Sequence, residues 1–250
     1  MIQDLLPKGI VELVVKVILF ALGFAARSTY NFIRDYITDR PFRKTWSSIV
    51  GSNSTIYIII AVVPTFDEFG KLTKVVTLPL ATALSDLIST LKREYPNLII
   101  EVYPSGNFPA QKLGENLIIV GGPIHNKTCA LIQEKIRLPF EFTGFGLIED
   151  QTGNEFRAET DSNGQTSKDF GTVAVFENPF SSSSRICWVA GCHSHGTNAS
   201  IRSLIKPFVK NLHSKRGHYQ YFQMVIETTV ADDFVSAPRI VSIAPILAAS

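Results

Sequence analysis

The sequence has little charge and little cysteine. Charged residues make up 18% of the 250 residues, below the roughly 25% that is usual for globular chains. The formal net charge of +2 is too small to indicate nucleic-acid binding by itself. The cysteines, Cys129, Cys187 and Cys192, are odd in number and lack metal-ligand spacing. Neither a disulfide framework nor a zinc site is predicted, and a reduced cytoplasmic compartment is the simplest expectation.

Several complete sequence signatures are also missing. There is no internal repeat of fixed period, no full GxGxxG motif and no P-loop, so a standard dinucleotide or Walker-type site is not predicted. A cleaved signal peptide is not favoured, because charges interrupt its would-be apolar region and Phe24-Ala25-Ala26 is a poor cleavage site. Apolar residues are plentiful at 45%, which suits one large domain or one domain with a small appendage.

The N-terminal part contains the most apolar segment. Residues 10–26 carry only two charges, Glu12 and Lys16, whereas spanning a bilayer takes roughly 20 apolar residues. Three interpretations stay open: a membrane span, an interfacial helix, or a helix that packs on the main domain or on other copies of the chain. The basic residues that follow are Arg27, Arg34, Arg40, Arg43 and Lys44. They favour a cytoplasmic location for the remaining chain if the helix spans, and contact with anionic headgroups if it lies in the interface.

The rest of the chain alternates apolar strands with amphipathic helices. Thr55–Val63 is a β-branched run without alternation, as expected for a strand buried on both faces of a parallel sheet. Leu78–Tyr95 carries apolar residues at helical spacing, with Pro79 in its first turn. This order predicts an α/β fold with an open, mostly parallel, Rossmann-like sheet and an antiparallel edge. The other predicted elements are strands at Leu98–Tyr103, Leu113–Val120, Ile186–Ala190, Tyr219–Val230 and Arg239–Ile246, and helices at Lys127–Arg137 and Ala199–Leu212.

Two stretches depart from this alternation. Trp46–Ser54 contains Ser, Gly and Asn and is interpreted as a linker. Phe140–Phe180 is polar with short β-prone pieces, which predicts antiparallel hairpins at one edge of the sheet. The predicted domains are therefore residues 1–45, a hydrophobic helix with a basic linker, and residues 46–250, a ligand-binding α/β domain.

A first glycine loop, residues 121–128 with the sequence GGPIHNKT, forms one wall of the predicted ligand site. Paired glycines at a strand end let the backbone come close to a ligand. Asn126 or Thr128 can cap the helix that follows, and the free amides of that helix would suit an anion. A tight turn with a capped helix is the alternative explanation. The predicted contacts are Gly121, Gly122, Asn126 and Thr128.

A second glycine loop, residues 191–198 with the sequence GCHSHGTN, forms the other predicted wall. It combines close-approach glycines and donors at a helix start with two histidines, His193 and His195. These histidines are too close in sequence to form a metal site alone, and no acidic cluster completes one, so no metal is predicted. The predicted contacts are Gly191, His193, His195, Gly196, Thr197 and Asn198.

The second loop also permits a hydrolase hypothesis. Cys192–Gly196 resembles the nucleophile elbow G-x-S-x-G, with Cys in the first glycine position, and Ser194 would then be the nucleophile. The later histidines precede the later acids, whereas hydrolases of that fold place the histidine last, which argues against this version. Cys192 with His193 or His195 as its base is a second version, since a helix N-terminus favours a thiolate.

Two further groups of polar residues are weaker candidates. Glu149, Asp150 or Asp169 can orient a ribose hydroxyl or act as a general base, although exposed turn acids are commoner. Lys206–Arg216 is rich in basic residues and can bind phosphate or acidic lipid, although such runs commonly form the solvated C-terminal part of a helix.

The two loops, GGPIHN and GCHSHGTNAS, resemble nucleotide- or nucleotide-sugar-handling Rossmann-like domains in general, without matching one family. A hydrophobic N-terminal helix before a compact domain is similar in layout to bacterial membrane-associated sensors and defence effectors. We therefore expect binding of a phosphorylated small molecule, most simply a nucleotide, with hydrolysis left open and no cofactor assigned. The helix would tether the chain to membrane lipid or build a homo-oligomer through residues 10–26. The alternatives are a hydrolase that uses Ser194 or Cys192, and a non-catalytic membrane-associated assembly protein.

Overall fold

A computed structural model describes residues 16, 20, 22–24, 26–30, 40–51, 55–66, 68–69, 71–143, 146–149, 152–232 and 234–247. The chain divides into two compact units, residues 1–41 and 42–250. The described residues of the first unit are helical and mostly exposed, including Phe20, Leu22 and Phe24. The predicted hydrophobic helix over residues 10–26 lies mostly outside the described residues, so its role stays a prediction. Within the described chain, no helix combines the length and apolarity needed to cross a bilayer.

The second unit alternates strands and helices. Its helices are α1 (residues 40–50, beginning in the first unit), α2 (Leu78–Glu94), α3 (Lys127–Gln133), α4 (Ser194–Ser203) and α5 (Val209–Arg216). Its strands are β1 (Thr55–Ile60), β2 (Val63–Phe66), β3 (Leu72–Val75), β4 (Ile99–Pro104), β5 (Leu117–Val120), β6 (Phe140–Thr143), β7 (Gly146–Glu149), β8 (Glu155–Arg157), β9 (Glu159–Thr160), β10 (Thr166–Asn178), β11 (Ser181–Gly191), β12 (Phe222–Ala231), β13 (Phe234–Val235) and β14 (Arg239–Pro245).

The main sheet is mixed. Strands β4, β1, β5 and β11 are neighbours in that order and all run parallel. Beyond β11 the sheet continues through β10 and β12, which are antiparallel to their neighbours, and β9, β13 and β14 complete it. An α/β fold with an open sheet is therefore confirmed, but the sheet is only partly parallel. Strands β6, β7 and β8 form a separate antiparallel sheet, and β2 pairs with β3 in a hairpin.

Side chains alternate between two buried faces of the main sheet, as the pleat requires. One face packs against α1, α2, α4 and α5, with Ile58, Val189 and Met224 in the same cluster as Trp46 and Leu87. The other face packs against α3 and the segment after it, around buried residues such as Ile119, Ile132 and Trp188. Both faces of β1 are covered, which explains its continuous run of mainly β-branched residues.

Three sequence predictions need correction. The Trp46–Ser54 linker is wrong in its first half, because residues 46–50 are helical and Trp46 is fully buried, with its Nε1 donating to Leu204 O at 2.9 Å. β10 lies inside the main sheet between β11 and β12, and not at its edge. The single helix predicted over Ala199–Leu212 is two helices, because Pro207 cannot supply the backbone N–H that a continuous helix needs.

Candidate functional site

The two glycine loops lie next to each other at one edge of the main sheet. They follow β5 and β11, which are adjacent and parallel, so both loops leave the sheet at its carboxyl edge. Gly121 joins the first loop to β11, because its N–H donates to Val189 O at 2.8 Å and its carbonyl accepts from Trp188 Nε1 at 3.0 Å. The two loops therefore begin at neighbouring strand ends, and their role as the walls of one ligand site stays a prediction.

The carboxyl edge also contains a reversal in strand order. From β1 the chain moves outward to β4, and it then crosses back to β5 on the other side of β1. The segments that leave the carboxyl ends of β1 and β5 therefore lead to opposite sides, toward β4 and β11 respectively. Open α/β sheets leave a crevice at such a position. The loops after β4 and β5 are linked here, since Ser105 Oγ donates to His125 O at 3.4 Å and Thr128 Oγ1 donates to Ser105 O at 3.5 Å.

The two glycines of the first loop have different surroundings. Gly121 has a φ of 100°, and a Cβ atom there would collide with the Cβ of Ala61 at the end of β1. Only glycine therefore allows this close approach of the two strand ends. A Cβ atom at Gly122 would meet nothing within 4 Å, and its φ lies outside the left-handed region. Gly122 is thus the glycine that leaves open space beside the backbone.

Asn126 and Thr128 are turned toward the protein. The Asn126 side chain is fully buried, accepts from Cys129 N at 3.1 Å, and donates to Ile59 O at 3.2 Å and to Val120 O at 3.0 Å. It caps α3 and ties the carboxyl ends of β1 and β5, so its polar atoms are already hydrogen-bonded. The cap predicted at Asn126 is therefore present, and the predicted ligand contacts of both residues stay predictions.

A buried carboxylate occupies the N-terminus of α4. Asp169 is fully buried and accepts hydrogen bonds from Gly196 N at 2.5 Å, Phe170 N at 2.8 Å and His193 N at 3.3 Å. Burial raises the pKa of the Asp169 carboxyl above its ordinary value, and the three amides together with His193 partly oppose that rise. Asp169 therefore already accepts hydrogen bonds from the backbone amides at the start of α4, and it is not an exposed turn acid.

Three glycines bring α4 close to the sheet. A Cβ atom at Gly196 would collide with Phe170 O, and one at Gly191 would collide with Thr197 N. A Cβ atom at Gly171, on β10, would lie 2.7 Å from Ala190 O and closer still to atoms of α4. These glycines are required for close packing of backbone against backbone, which also brings the carboxylate of Asp169 within reach of the α4 amides.

The other residues of the second loop divide into internal and surface positions. Thr197 Oγ1 donates to His193 O at 3.2 Å, and Asn198 Nδ2 donates to Pro79 O at 2.6 Å, which links α4 to the start of α2. His193 is exposed, while Ser194 and His195 are half-buried. The side chains of the second loop that reach solvent are therefore those of residues 193–195.

Comparison with family models and curated sequences assigns no relative. No model of a known protein family matches the chain, and no curated protein sequence matches it. The argument for function therefore rests on the geometry of the carboxyl edge. Among the described residues, no group of three or more His, Cys, Asp or Glu side chains is arranged to hold a metal ion.

The structure bears differently on the two nucleophiles of the hydrolase hypothesis. Cys192 is buried, its Sγ lies 3.7 Å from Phe156 O, and burial together with the charge of Asp169 raises the pKa of the thiol to about 12. A thiolate at this position is strongly disfavoured at neutral pH. Ser194 and His195 are the first two residues of α4. The side chains of adjacent helical residues do not face each other. Ser194 as a nucleophile stays a prediction.

We expect Cys192 to resist alkylation in the folded protein. Treatment with iodoacetamide at neutral pH should leave Cys192 unmodified while a small-molecule thiol reacts, because the buried thiol is protonated. After unfolding in denaturant, the same treatment should modify all three cysteines, which is the internal control. Peptide mass mapping gives the site of labelling. Rapid labelling of Cys192 in the native protein would restore it as a candidate nucleophile.

Sequence reasoning missed two features of this edge. His125 lies in the first loop beside the divergence between β1 and β5 and is exposed, although no role was assigned to it. Its position three residues after the paired glycines is a usable signal. The sequence offers Asp169 as a ribose-orienting group, a general base or an exposed turn acid, but its role at the start of α4 depends on partners 24 and 27 residues away. Glu149 and Asp150 lie outside the residues whose side chains the structure describes.

Proposed function

We propose that the second unit binds a phosphorylated small molecule, most simply a nucleotide, at the carboxyl edge of the sheet between β1 and β5. The observation that carries this proposal is the strand order β4-β1-β5-β11, whose connections diverge between β1 and β5. Open α/β sheets bind ligands outside the carboxyl ends of their strands at such a point. Assignment to the Rossmann-like folds is part of the same proposal.

The ligand would approach the backbone at Gly122 and meet polar side chains on both sides. Gly122 offers open space, and the exposed or half-buried polar side chains of the loops include His125 on one loop and residues 193–195 on the other. Imidazole groups can donate hydrogen bonds to phosphate oxygens and carry positive charge when protonated. The phosphate would be met by these side chains, since the α4 amides already donate to Asp169.

The remaining residues of the two glycine loops would shape the site. In this proposal Gly121, Asn126 and Thr128 fix the first wall, while Gly191, Gly196, Thr197 and Asn198 fix the second. The hydrogen bonds of Asn126 to β1 and β5 and of Asn198 to Pro79 support this division. A tether through residues 10–26, to a membrane or to further copies of the chain, completes the proposal.

A nucleotide panel tests the site. We expect mono-, di- or triphosphate nucleotides to raise the melting temperature of the full chain, because a ligand that binds only the folded state stabilises it. Gly122→Leu should abolish the shift with little change in the melting temperature of the free protein, since a Cβ atom there meets nothing within 4 Å. Isothermal titration calorimetry with the nucleotide that gives the largest shift measures the lost affinity. Phosphate release during the same incubations tells binding from hydrolysis.

The matched control is Gly114→Ala. Gly114 lies before β5, at the opposite edge of the sheet, and a Cβ atom there would meet ordinary contacts at 3.4 Å and 3.6 Å. This variant should keep both the melting temperature and the nucleotide shift. A His193→Ala/His195→Ala variant should weaken binding at least tenfold, which corresponds to about 1.4 kcal/mol. The proposal fails if no nucleotide shifts the wild type, or if Gly122→Leu binds as the wild type does.

A further inference from the structure

Positive charge is concentrated on a surface far from the glycine loops. Residues 42–50 of α1, the end of α2 and residues 205–218 meet at the amino edge of the sheet. These three segments contribute eight lysines and arginines and a single acid, Glu94. The whole chain carries a formal charge of only +2, so this surface is much more basic than the rest. We call it the basic face; its residues are Arg43, Lys44, Lys92, Arg93, Lys206, Lys210, Lys215 and Arg216.

Direct contacts hold the three segments together. Glu94 lies at the centre and accepts ion pairs from Lys206 at 2.9 Å, Arg43 at 3.5 Å and Arg93 at 3.6 Å. Arg216 Nη2 donates to Lys44 O at 3.2 Å, which joins the end of α5 to α1. The dipole of one helix explains basic residues at that helix's C-terminus, but it does not explain the convergence of cations from three separate segments.

The single acid of this face is hidden from solvent. The Glu94 side chain is only 6% exposed, whereas those of Arg43 and Arg93 are 56% and 63% exposed. Lys210 and Lys215 are also exposed and stand on the outer side of α5, whose Val209 and Leu212 face the core. A partner approaching from outside would therefore meet cations in a layer above a buried carboxylate.

We propose that the basic face binds the surface of a bilayer that contains anionic lipid. The partner follows from two facts about the chain: the face is cationic, and the sequence that precedes it contains the 17 residues 10–26 with only two charges. A single apolar anchor binds membranes weakly, and a polybasic surface is the usual second signal that makes binding stable. This inference specifies the tether in the proposed function and is independent of the small-molecule site.

Vesicle co-sedimentation of the full chain tests the inference. We expect tighter binding to vesicles of phosphatidylcholine with phosphatidylserine than to vesicles of phosphatidylcholine alone, and the preference should shrink as salt is added. Lys210→Gln/Lys215→Gln should lower the partition coefficient on the anionic vesicles about thirtyfold, since each lysine near such a surface contributes about fivefold. Binding to the neutral vesicles should not change, because that part comes from apolar contact.

The matched control is Lys74→Gln/Lys127→Gln. It removes the same charge from exposed lysines at the carboxyl edge, and it should bind both kinds of vesicle as the wild type does. Equal loss in the two double variants would overturn the inference, because only total charge would then matter. No preference for anionic lipid, or displacement from anionic vesicles by a duplex oligonucleotide at equal phosphate concentration, would overturn it as well. Nucleotide-induced shifts in melting temperature are measured separately from vesicle binding. The proposed small-molecule site can therefore be supported or refuted whatever the vesicle result is.

Discussion

Asp169→Ala is expected to lower the free energy of unfolding by about 3 to 5 kcal/mol. The substitution removes the acceptor of three backbone amides, those of Phe170, His193 and Gly196, at a fully buried position. Water has no access with which to replace the lost carboxylate, so the Gly196 amide would stay unsatisfied. Urea denaturation followed by circular dichroism measures the loss. Asp169→Asn keeps one oxygen acceptor and should lose about half as much.

Asp161→Ala is the matched control for this prediction. Asp161 also accepts two backbone hydrogen bonds, from Asn163 N at 2.8 Å and Gln165 N at 2.9 Å, but it lies in an exposed turn. Water can hydrate those amides, so the expected loss is under about 1 kcal/mol. Equal losses in Asp161→Ala and Asp169→Ala would show that the buried carboxylate has no special role.

The pH dependence of stability gives an independent check on Asp169. Burial raises its pKa above the ordinary value of 3.8, so the folded protein holds this proton more tightly than the unfolded chain does. The stability that this proton contributes is fully present when the pH lies below the ordinary pKa, and it is lost as the pH rises through the raised pKa. The unfolding free energy of the wild type relative to Asp169→Asn should therefore fall across that window and then level off. A difference that increases with pH would show that the helix amides outweigh burial.

Gly196→Ala should destabilise the protein by about 3 kcal/mol or prevent folding, as expected when a packed interior is overfilled. The sign is opposite to intrinsic helix propensity, which favours Ala over Gly in a helix by about 1 kcal/mol. The cause is local, because the added Cβ atom would meet Phe170 O and lie 3.1 Å from Asp169 Cγ. Backbone atoms of β10 cannot rotate away as a side chain can.

Gly122→Ala is the comparison, because a Cβ atom there meets nothing within 4 Å. Its melting temperature should stay within a few degrees of the wild type. Thermal unfolding of both variants decides the point, and soluble expression serves as the readout if Gly196→Ala does not fold. A stable Gly196→Ala protein would mean that α4 can move away from β10, and the close approach would then not be essential.

Local pattern was sufficient for the elements that surround the site. The β-branched run from Thr55 and the apolar stripe of Leu78–Glu94 both form the predicted element, and the strand and helix around each glycine loop are present. Such patterns depend on residues within a few positions of each other. The predicted end of β1 at Val63 is too late, since the strand ends at Ile60 and Val63 begins the β2–β3 hairpin.

Contacts between residues far apart in sequence could not be predicted from local patterns. β10 has the composition of an edge hairpin, yet it pairs with β12, whose partner residues lie roughly 50 to 60 positions further along the chain. Asp169 looks like a turn acid until the packing of α4 is known. Trp46 looked like part of a polar linker because its neighbours in sequence are Ser, Gly and Asn, whereas its contact with Leu204 lies 158 residues away.

The stretch from β10 through α4 has a consequence for the order in which the protein folds. Residues 166–203 are continuous in sequence and contain the β10–β11 hairpin, the helix that packs on it, and the carboxylate and glycines that join them. Contacts between residues close in sequence cost little loop-closure entropy, while pairing β11 with β5 closes a loop of more than 60 residues. This hairpin–helix unit is therefore expected to be structured in the folding transition state, with β1, β4 and β5 joining it later.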